Sequence, residues 1–161
     1  MPDLIEFLIL TGARRGEASN MQWEDVDMEN SMWTVPISKS GKPRHIPLSG
    51  AAVNLLQRRK PLCEGSNYVF PNPKTGKPLR AFHSTWDTIR KNAGIPDVRI
   101  HDLRHNFASL LINSGRTLYE VQKLLGHSNS RTTQRYAHLA QDTLKDAADV
   151  VGEKIKKYAR N

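Results

Sequence analysis

Short stripes of apolar residues at helical spacing, several of them ended by a glycine, run through most of this sequence. Leu4, Phe7 and Leu8 form the first stripe, and Gly12 interrupts it. Because residues three and four positions apart share one face of a helix, such stripes predict amphipathic helices. The same pattern predicts further helices at about 14–21, 49–60, 80–92 and 101–113, one at 118–125 behind a Thr117–Glu120 capping box, a short one that holds Tyr136, and a last one over 144–158.

One segment alternates apolar and other side chains instead. Trp33, Val35 and Ile37 recur at every second position, which predicts a strand. The stretch SKSGK at 38–42 predicts a turn, and RHIPL at 44–48 predicts the antiparallel partner strand. The expected fold class is therefore mainly α (α+β), a helical bundle-like domain with a small antiparallel β-sheet or hairpin near its N-terminal third.

The charge of the chain is strongly positive and unevenly spread. Its 24 Lys and Arg outnumber 16 Asp and Glu, and thirteen of the basic residues lie between Ser38 and His105 against four acidic ones. Such a surface favours nucleic acid first and an anionic membrane second, although an ordinary solvated surface accounts for it about equally well. Cys63 is the one cysteine, which excludes an internal disulfide and a thiolate zinc site, and no apolar run is long enough to span a membrane.

Two short motifs place an arginine three residues from a second ionisable side chain. In TGARRGE these are Arg14 and Glu17, so the carboxylate can orient a guanidinium that binds two phosphate oxygens. In HDLRH they are His101 and Arg104, at a predicted helix start that favours anions. Each motif by itself is better explained by a solvated helix face or a surface ion pair.

Lys39, His127 and Tyr136 complete a set whose members matter only together. A lysine in a turn is, by itself, most often a solvated surface residue. Joined to the two arginines and His101, however, these residues supply what attack on a phosphodiester requires. Guanidinium groups bind the non-bridging oxygens, histidines hydrogen-bond or transfer protons, an acid protonates the leaving alkoxide, and a hydroxyl attacks.

Four segments, TGARRGEASNMQW, SKSGKPRHIPL, HDLRHNFAS and LGHSNSRTTQRYAHL, resemble the signature segments of the tyrosine recombinases (phage integrase family), in the family's order. The resemblance runs from about residue 11 to 139. It implies that Arg14 and Arg104 clamp the phosphate, Lys39 protonates the leaving 5′-hydroxyl, His101 and His127 are the active-site histidines, Tyr136 is the nucleophile, and Glu17 supports the first arginine. His105 flanks its motif and is expected to support it.

The function implied by this resemblance is that of a site-specific DNA recombinase or integrase. Such an enzyme cleaves and rejoins strands through a covalent 3′-phosphotyrosyl intermediate and leaves a free 5′-hydroxyl. Since arginines supply the positive charge, no metal ion, ATP or other cofactor is expected. We expect residues 1–139 to form the catalytic domain and residues 140–161 a C-terminal helix that docks on its own domain or on a neighbouring protomer. The family's DNA-clamp (core-binding) and arm-binding domains are expected to lie upstream, outside this chain.

Double-stranded DNA is the expected partner. The isolated domain is expected to be monomeric and the full-length protein to form a tetramer on DNA. The expected location is the bacterial cytoplasm, in a bacterial or phage-encoded protein associated with the nucleoid and not with a membrane. Candidates for contacts to the DNA backbone are the basic residues Arg15, Lys42, Arg44, Lys74, Lys77, Arg80, Arg90 and Lys91.

Three alternatives remain open at this point. A type IB topoisomerase-like enzyme shares the chemistry but acts as a monomer on one duplex. A non-catalytic DNA-binding module would keep the basic face without the chemistry. A metal-dependent nuclease is the most distant, because it needs clustered carboxylates, whereas the acidic residues here are scattered or lie in the 24–29 stretch.

Overall fold

The computed structural model describes residues 1–36, 43–80, 82–127 and 130–158. Helices dominate these ranges, which confirms the expected mainly α class. The α-helices are α1 (Pro2–Thr11), α2 (Arg15–Ser19), α3 (Gly50–Arg59), α4 (His83–Asn92), α5 (Asp102–Asn113), α6 (Leu118–Leu125), α7 (Ser130–Gln134) and α8 (Gln141–Tyr158). Two compact units, Met1–Phe107 and Ala108–Asn161, divide the chain, with the boundary inside α5.

The sheet of the first unit has three short antiparallel strands, β1 (Val26–Asp27), β2 (Met32–Val35) and β3 (Arg44–Pro47), in that order. Trp33 of β2 lies opposite Ile46 of β3, and both are buried. This pairing confirms the predicted antiparallel partners, whereas their turn, SKSGK, lies outside the described residues. β1 was not predicted, because two residues are too few to show an alternating pattern.

The core of the first unit forms where α1 meets the sheet and α3. The fully buried ring of Phe7 contacts the ring of Trp33 edge to face, at a centroid distance of 5.5 Å, and that of Phe70 at 5.4 Å. Leu55 and Leu56 of α3 are buried in the same core. Apolar burial of this kind holds a short helix in place, since a helix of ten residues is marginal by itself in water.

Two helices of the first unit have ends that differ from the prediction. α4 begins at His83 rather than near residue 80. The N–H of Leu79 donates to the carbonyl of Phe70 (3.2 Å), so the residues just before 80 bond to a distant segment instead of starting the helix. α2 is shorter than predicted because Arg14 has an extended backbone and serves as its N-cap.

The second unit contains the predicted capping box. The hydroxyl of Thr117 accepts from the backbone N–H of Glu120 (3.2 Å), and the Glu120 carboxylate accepts from the backbone N–H of Thr117 (2.7 Å). These bonds satisfy donors that the first turn of a helix leaves without intrahelical partners. They fix the start of α6, whose apolar face buries Val121 and Leu125.

Replacing Thr117 by alanine should lower the free energy of unfolding by about 1 kcal/mol, the usual cost of losing an N-cap. Urea denaturation followed by circular dichroism measures the change. Thr132→Ala, at an exposed position within α7, is the matched control and should stay near the wild type. An equal loss in both variants would contradict the capping role.

Tyr136 does not lie in a helix, so that part of the prediction was wrong. α7 ends at Gln134, and Tyr136 occupies a turn before the 3-10 helix Ala137–Ala140. The N–H of Tyr136 donates to the carbonyl of Thr133 (3.0 Å), three residues back. A bond to the third residue tightens the chain beyond an α-helical turn, and five residues are too few to sustain a stable α-helix.

The C-terminal helix α8 presents apolar side chains to solvent. Val150, Val151, Ile155 and Tyr158 are all exposed, from 49% for Val150 to 79% for Tyr158. None of the helices in the described ranges combines the length and hydropathy that crossing a bilayer requires.

Candidate active site

A turn between α1 and α2 positions the first arginine. Gly12 ends α1 with φ 60, a left-handed conformation that costs glycine little, and Arg14 follows as the N-cap of α2. Glu17 at the third helical position folds back onto Arg14. Its Oε1 accepts from Arg14 Nη1 (2.8 Å) and its Oε2 from the Arg14 backbone N–H (3.1 Å). The contact that their spacing suggested is therefore formed, and it fixes the guanidinium relative to the helix.

A second arginine shares the same carboxylate. Nη2 of Arg44, on β3, donates to Oε2 of Glu17 at 2.6 Å. The side chains of Arg44 and Glu17 are 11% and 9% exposed, against 29% for Arg14. Burial lowers the pKa of Arg44 from its ordinary value, and the adjacent Glu17 carboxylate acts in the opposite direction. Arg44 was expected from the sequence to contact the DNA backbone. No sequence pattern predicted its bond to Glu17, 27 residues away.

Arg104 reaches the same turn from α5. Its side chain is almost completely buried, and Nη1 donates to the carbonyl of Gly12 at 2.7 Å. The reading of HDLRH as a solvated helix face therefore does not apply to this residue. Arg104 and His101 instead line a small cleft of about 110 Å³ together with Ala13 and Arg15. Arg104, 90 residues from Arg14 in the sequence, thus bonds to a backbone carbonyl only two residues before Arg14.

His101 lies immediately before α5 and pairs with a second histidine. The rings of His101 and His105 meet edge to face, with centroids 5.0 Å apart. Partial burial lowers the pKa of His101, and the positive charges of His105 and Arg104 lower it further. On the same helical turn, hydrogen bonds from Arg99 hold the pKa of Asp102 at about 2. His101 is therefore expected to be neutral at neutral pH, beside groups that carry charge.

We expect His101 to titrate below the ordinary histidine pKa, and His105→Gln to raise its pKa by removing a neighbouring cation. Because the unfolded chain binds this proton more readily, the free energy of unfolding should decrease as the pH falls through the histidine range. Two-dimensional ¹H–¹³C NMR of the imidazole carbons measures the pKa of His101 in the wild type and in the His105→Gln variant. His83→Gln, at an exposed histidine on α4, is the control and should leave the His101 titration unchanged. An unshifted His101 in the His105 variant would contradict the assigned cause.

In the second unit, one threonine connects His127 and Tyr136. The ring Nδ1 of His127 lies 2.8 Å from the hydroxyl of Thr133, and the carbonyl of Thr133 accepts from the Tyr136 backbone N–H at 3.0 Å. Thr133 is 2% exposed and Tyr136 is 6% exposed. Sequence reasoning missed Thr133, and its hydroxyl between two predicted site residues was the one signal that could have identified it. His127 itself follows Gly126, whose left-handed conformation ends α6.

The predicted catalytic residues are divided between the two units. Arg14, His101 and Arg104 belong to the first, and His127 and Tyr136 to the second. Lys39, like the backbone candidate Lys42, lies outside the described residues. Among the residues that are described, no group of three or more His, Cys, Asp or Glu side chains is arranged to hold a metal ion.

The remaining candidates for backbone contacts differ in how firmly they are held. Nη1 of Arg15 donates to the Arg80 carbonyl (2.9 Å), and the Arg15 guanidinium lies 5.4 Å from the centre of the Phe82 ring. Nη2 of Arg80 in turn donates to Oδ1 of Asn20 (3.4 Å). Arg90 pairs with Asp87 on its own helix. The exposed lysines of this set are Lys74, Lys77 and Lys91. Arg15 and Arg80 therefore tie the segment before α4 to α2, and the lysines face solvent.

Known proteins match this chain over most of its length. The phage integrase family model matches residues 3–143. Tyrosine recombinase XerC of Staphylococcus saprophyticus is 32% identical over 150 residues, which cover 88% of this chain and 50% of that protein. The integrase of Salmonella phage P22 is 30% identical over 162 residues, covering 92% of this chain and 41% of its own length.

A solved structure extends the likeness to the fold. One such structure is the XerH site-specific recombinase bound to palindromic difH substrate in a post-cleavage complex. The match covers 93% of this chain and 45% of the XerH chain, with a TM-score of 0.73 and 28% identity. The chain therefore spans about half the length of these proteins, or less. Because the family model covers well over half of the chain, this chain belongs to the phage integrase family.

Proposed function

We propose that this chain is the catalytic part of a site-specific DNA recombinase that cleaves and rejoins strands through a covalent bond to Tyr136. The observation that carries the proposal is the bond from Arg104 to the Gly12 carbonyl, two residues before Arg14. Glu17 orients Arg14 there, and the Gly12 carbonyl holds Arg104. Two arginines anchored on this short turn suit a phosphate, because each guanidinium presents its donors in a planar fork.

The reaction follows from what each group can do to a phosphodiester. The phenol of Tyr136 gives its proton to His101 or His127 as its oxygen attacks phosphorus, the bond to the 5′-oxygen breaks, and the leaving oxygen takes a proton from Lys39. Arg14 and Arg104 stabilise the charge that gathers on the non-bridging oxygens, and His101 and His127 hydrogen-bond the reacting groups or transfer protons. The 3′-phosphotyrosyl bond conserves the energy of the broken linkage, so a 5′-hydroxyl can reverse the step without ATP or a metal ion.

Double-stranded DNA is the proposed partner. The net charge of +8 and the exposed lysines Lys74, Lys77 and Lys91 support electrostatic binding to the backbone, which positions a duplex without reading its sequence. The bound difH substrate of the XerH relative supports the same class of ligand. We further propose that residues 1–139 perform the chemistry, and that α8 docks its exposed apolar side chains on its own domain or on a second protomer during assembly on DNA.

Covalent capture on suicide DNA tests this function. The full chain is incubated with saturating duplexes that carry a nick beside a randomised sequence, so that the cleaved fragment diffuses away and rejoining is prevented. We expect a protein–DNA adduct that survives SDS, forms equally in EDTA, and maps to Tyr136 by mass spectrometry of the peptides.

Other results would identify the competing functions. Tight, salt-dependent binding without any adduct would leave a non-catalytic DNA-binding module. Cleavage that EDTA abolishes would indicate a metal-dependent nuclease. Relaxation of supercoiled plasmid without strand exchange between two captured sites would indicate a topoisomerase-like enzyme.

A further inference from the structure

We propose that Arg44 is a positioning residue, which acts through the Glu17 carboxylate to hold Arg14 in its productive orientation and to keep this arginine's charge effective. The inference rests on the proposed function, since it assigns a role within the same reaction. It moves Arg44 from the class of contacts to the DNA backbone into the support of the phosphate-binding arginine.

The geometry of Glu17 is the first support. Oε1 accepts from Arg14 Nη1 at 2.8 Å, and Oε2 accepts from Arg44 Nη2 at 2.6 Å. Oε2 also accepts from the Arg14 backbone N–H at 3.1 Å. Both carboxylate oxygens are therefore held, and Oε2 is held also by the backbone N–H of the residue before α2. Of these three contacts, Oε2 would keep only the one from the Arg14 backbone if Arg44 were removed. The carboxylate could then rotate, and the Arg14 guanidinium that it orients would rotate with it.

Charge is the second support. Arg14 and Glu17 alone would form a neutral pair, and a neutral pair attracts a phosphate only weakly. Arg44 adds one positive charge to the pair, so the three side chains carry one net positive charge. Glu17 is 9% exposed, and water therefore screens its negative charge poorly. Arg44 thus offsets the carboxylate that orientation of Arg14 requires.

Relative exposure separates this role from a DNA contact. Arg14 is the outer guanidinium of the group at 29% exposure, whereas Arg44 is the inner one at 11%. The exposed fraction alone would not decide the matter. Together with the 2.6 Å bond to Glu17, it favours a role for Arg44 through the carboxylate over direct contact with DNA.

The test separates reaction rate from DNA affinity. Arg44→Lys and Arg44→Gln are compared with the wild type on the captured suicide duplex, with the adduct rate measured at saturating DNA and the dissociation constant measured separately. We expect the rate to fall about 10- to 100-fold in Arg44→Gln and less in Arg44→Lys, while affinity changes little, because a misplaced group slows chemistry more than it weakens binding. In an Arg14→Lys background, Arg44→Gln should add almost nothing.

Two reference variants make the comparison decisive. Lys77→Gln represents loss of an exposed candidate for DNA-backbone contact, with weaker binding and a smaller salt dependence. Arg58→Gln removes an exposed arginine of α3 that pairs with Glu6, and it should match the wild type. If Arg44→Gln behaves like Lys77→Gln, or if its effect on rate is fully additive with Arg14→Lys, the positioning role is wrong.

A second readout stands apart from DNA chemistry. In ¹⁵N NMR of the arginine side chains, Arg44→Gln should shift or broaden the Arg14 guanidinium signals, and Arg58→Gln should not. Unchanged Arg14 signals in a variant that melts like the wild type would overturn the inference. If the wild type forms no adduct on any duplex, the proposed function fails, and these spectra still decide whether Arg44 orders Arg14.

Discussion

Replacing Tyr136 by phenylalanine is expected to abolish the covalent protein–DNA adduct completely while the protein still binds duplex DNA. The ring is retained, but the one oxygen proposed to attack phosphorus is removed, and the arginines and histidines of the proposed site are not expected to replace it as nucleophile. Denaturing gels of the suicide-duplex reaction measure the adduct, and electrophoretic mobility shifts measure the binding.

Tyr119→Phe is the matched control for this variant. Tyr119 is 66% exposed on α6 in the same unit, so loss of its hydroxyl should leave adduct formation at the wild-type level. Because Tyr136 is 6% exposed, thermal melting must show that its phenylalanine variant still folds. A folded Tyr136→Phe protein that forms an adduct at the wild-type rate would refute Tyr136 as the nucleophile.

Arg104→Lys should reduce the rate of adduct formation by about 10²- to 10³-fold, the usual cost of removing a donor that stabilises a charged transition state. Lysine keeps the charge, but its single ammonium group cannot reproduce the planar fork of a guanidinium that is already bonded to the Gly12 carbonyl. Single-turnover measurements at saturating suicide duplex report the rate directly.

Arg116→Lys is the control for this substitution. Arg116 is an exposed arginine beside Glu120, outside the proposed site, and its replacement should leave the rate unchanged. Since Arg104 is buried, its lysine variant should also lose about 1–3 kcal/mol of stability through the weakened bond to Gly12. A stable Arg104→Lys protein with an unaltered rate would exclude a role for this guanidinium in phosphate binding.

Local features of the fold could be predicted from the sequence. The α1 stripe with Phe7, the glycine that ends it and the Thr117–Glu120 capping box depend on residues within one or two helical turns of each other. The contact between Arg14 and Glu17 has the same short range. Each of these is specified by spacing alone, and the structure contains all of them.

Contacts between distant segments could not be predicted in this way. The bond from Arg104 to Gly12 spans 92 positions, and that from Arg44 to Glu17 spans 27. Both depend on how whole elements pack, and a single sequence records packing only indirectly. The turn that holds Tyr136 was missed for another reason, since a bond to the third rather than the fourth preceding residue leaves no mark on the apolar pattern.

The left-handed residue that ends α1 has an effect well beyond that helix. Gly12 combines a backbone conformation that side-chain-bearing residues rarely adopt with the carbonyl on which Arg104 is anchored. Any larger residue there would disturb the helix end and, through the same peptide group, an arginine on a distant helix. Substitutions at position 12 should therefore lower the melting temperature and impair strand transfer at the same time. Screens for variants should find no substitution there that causes one defect without the other.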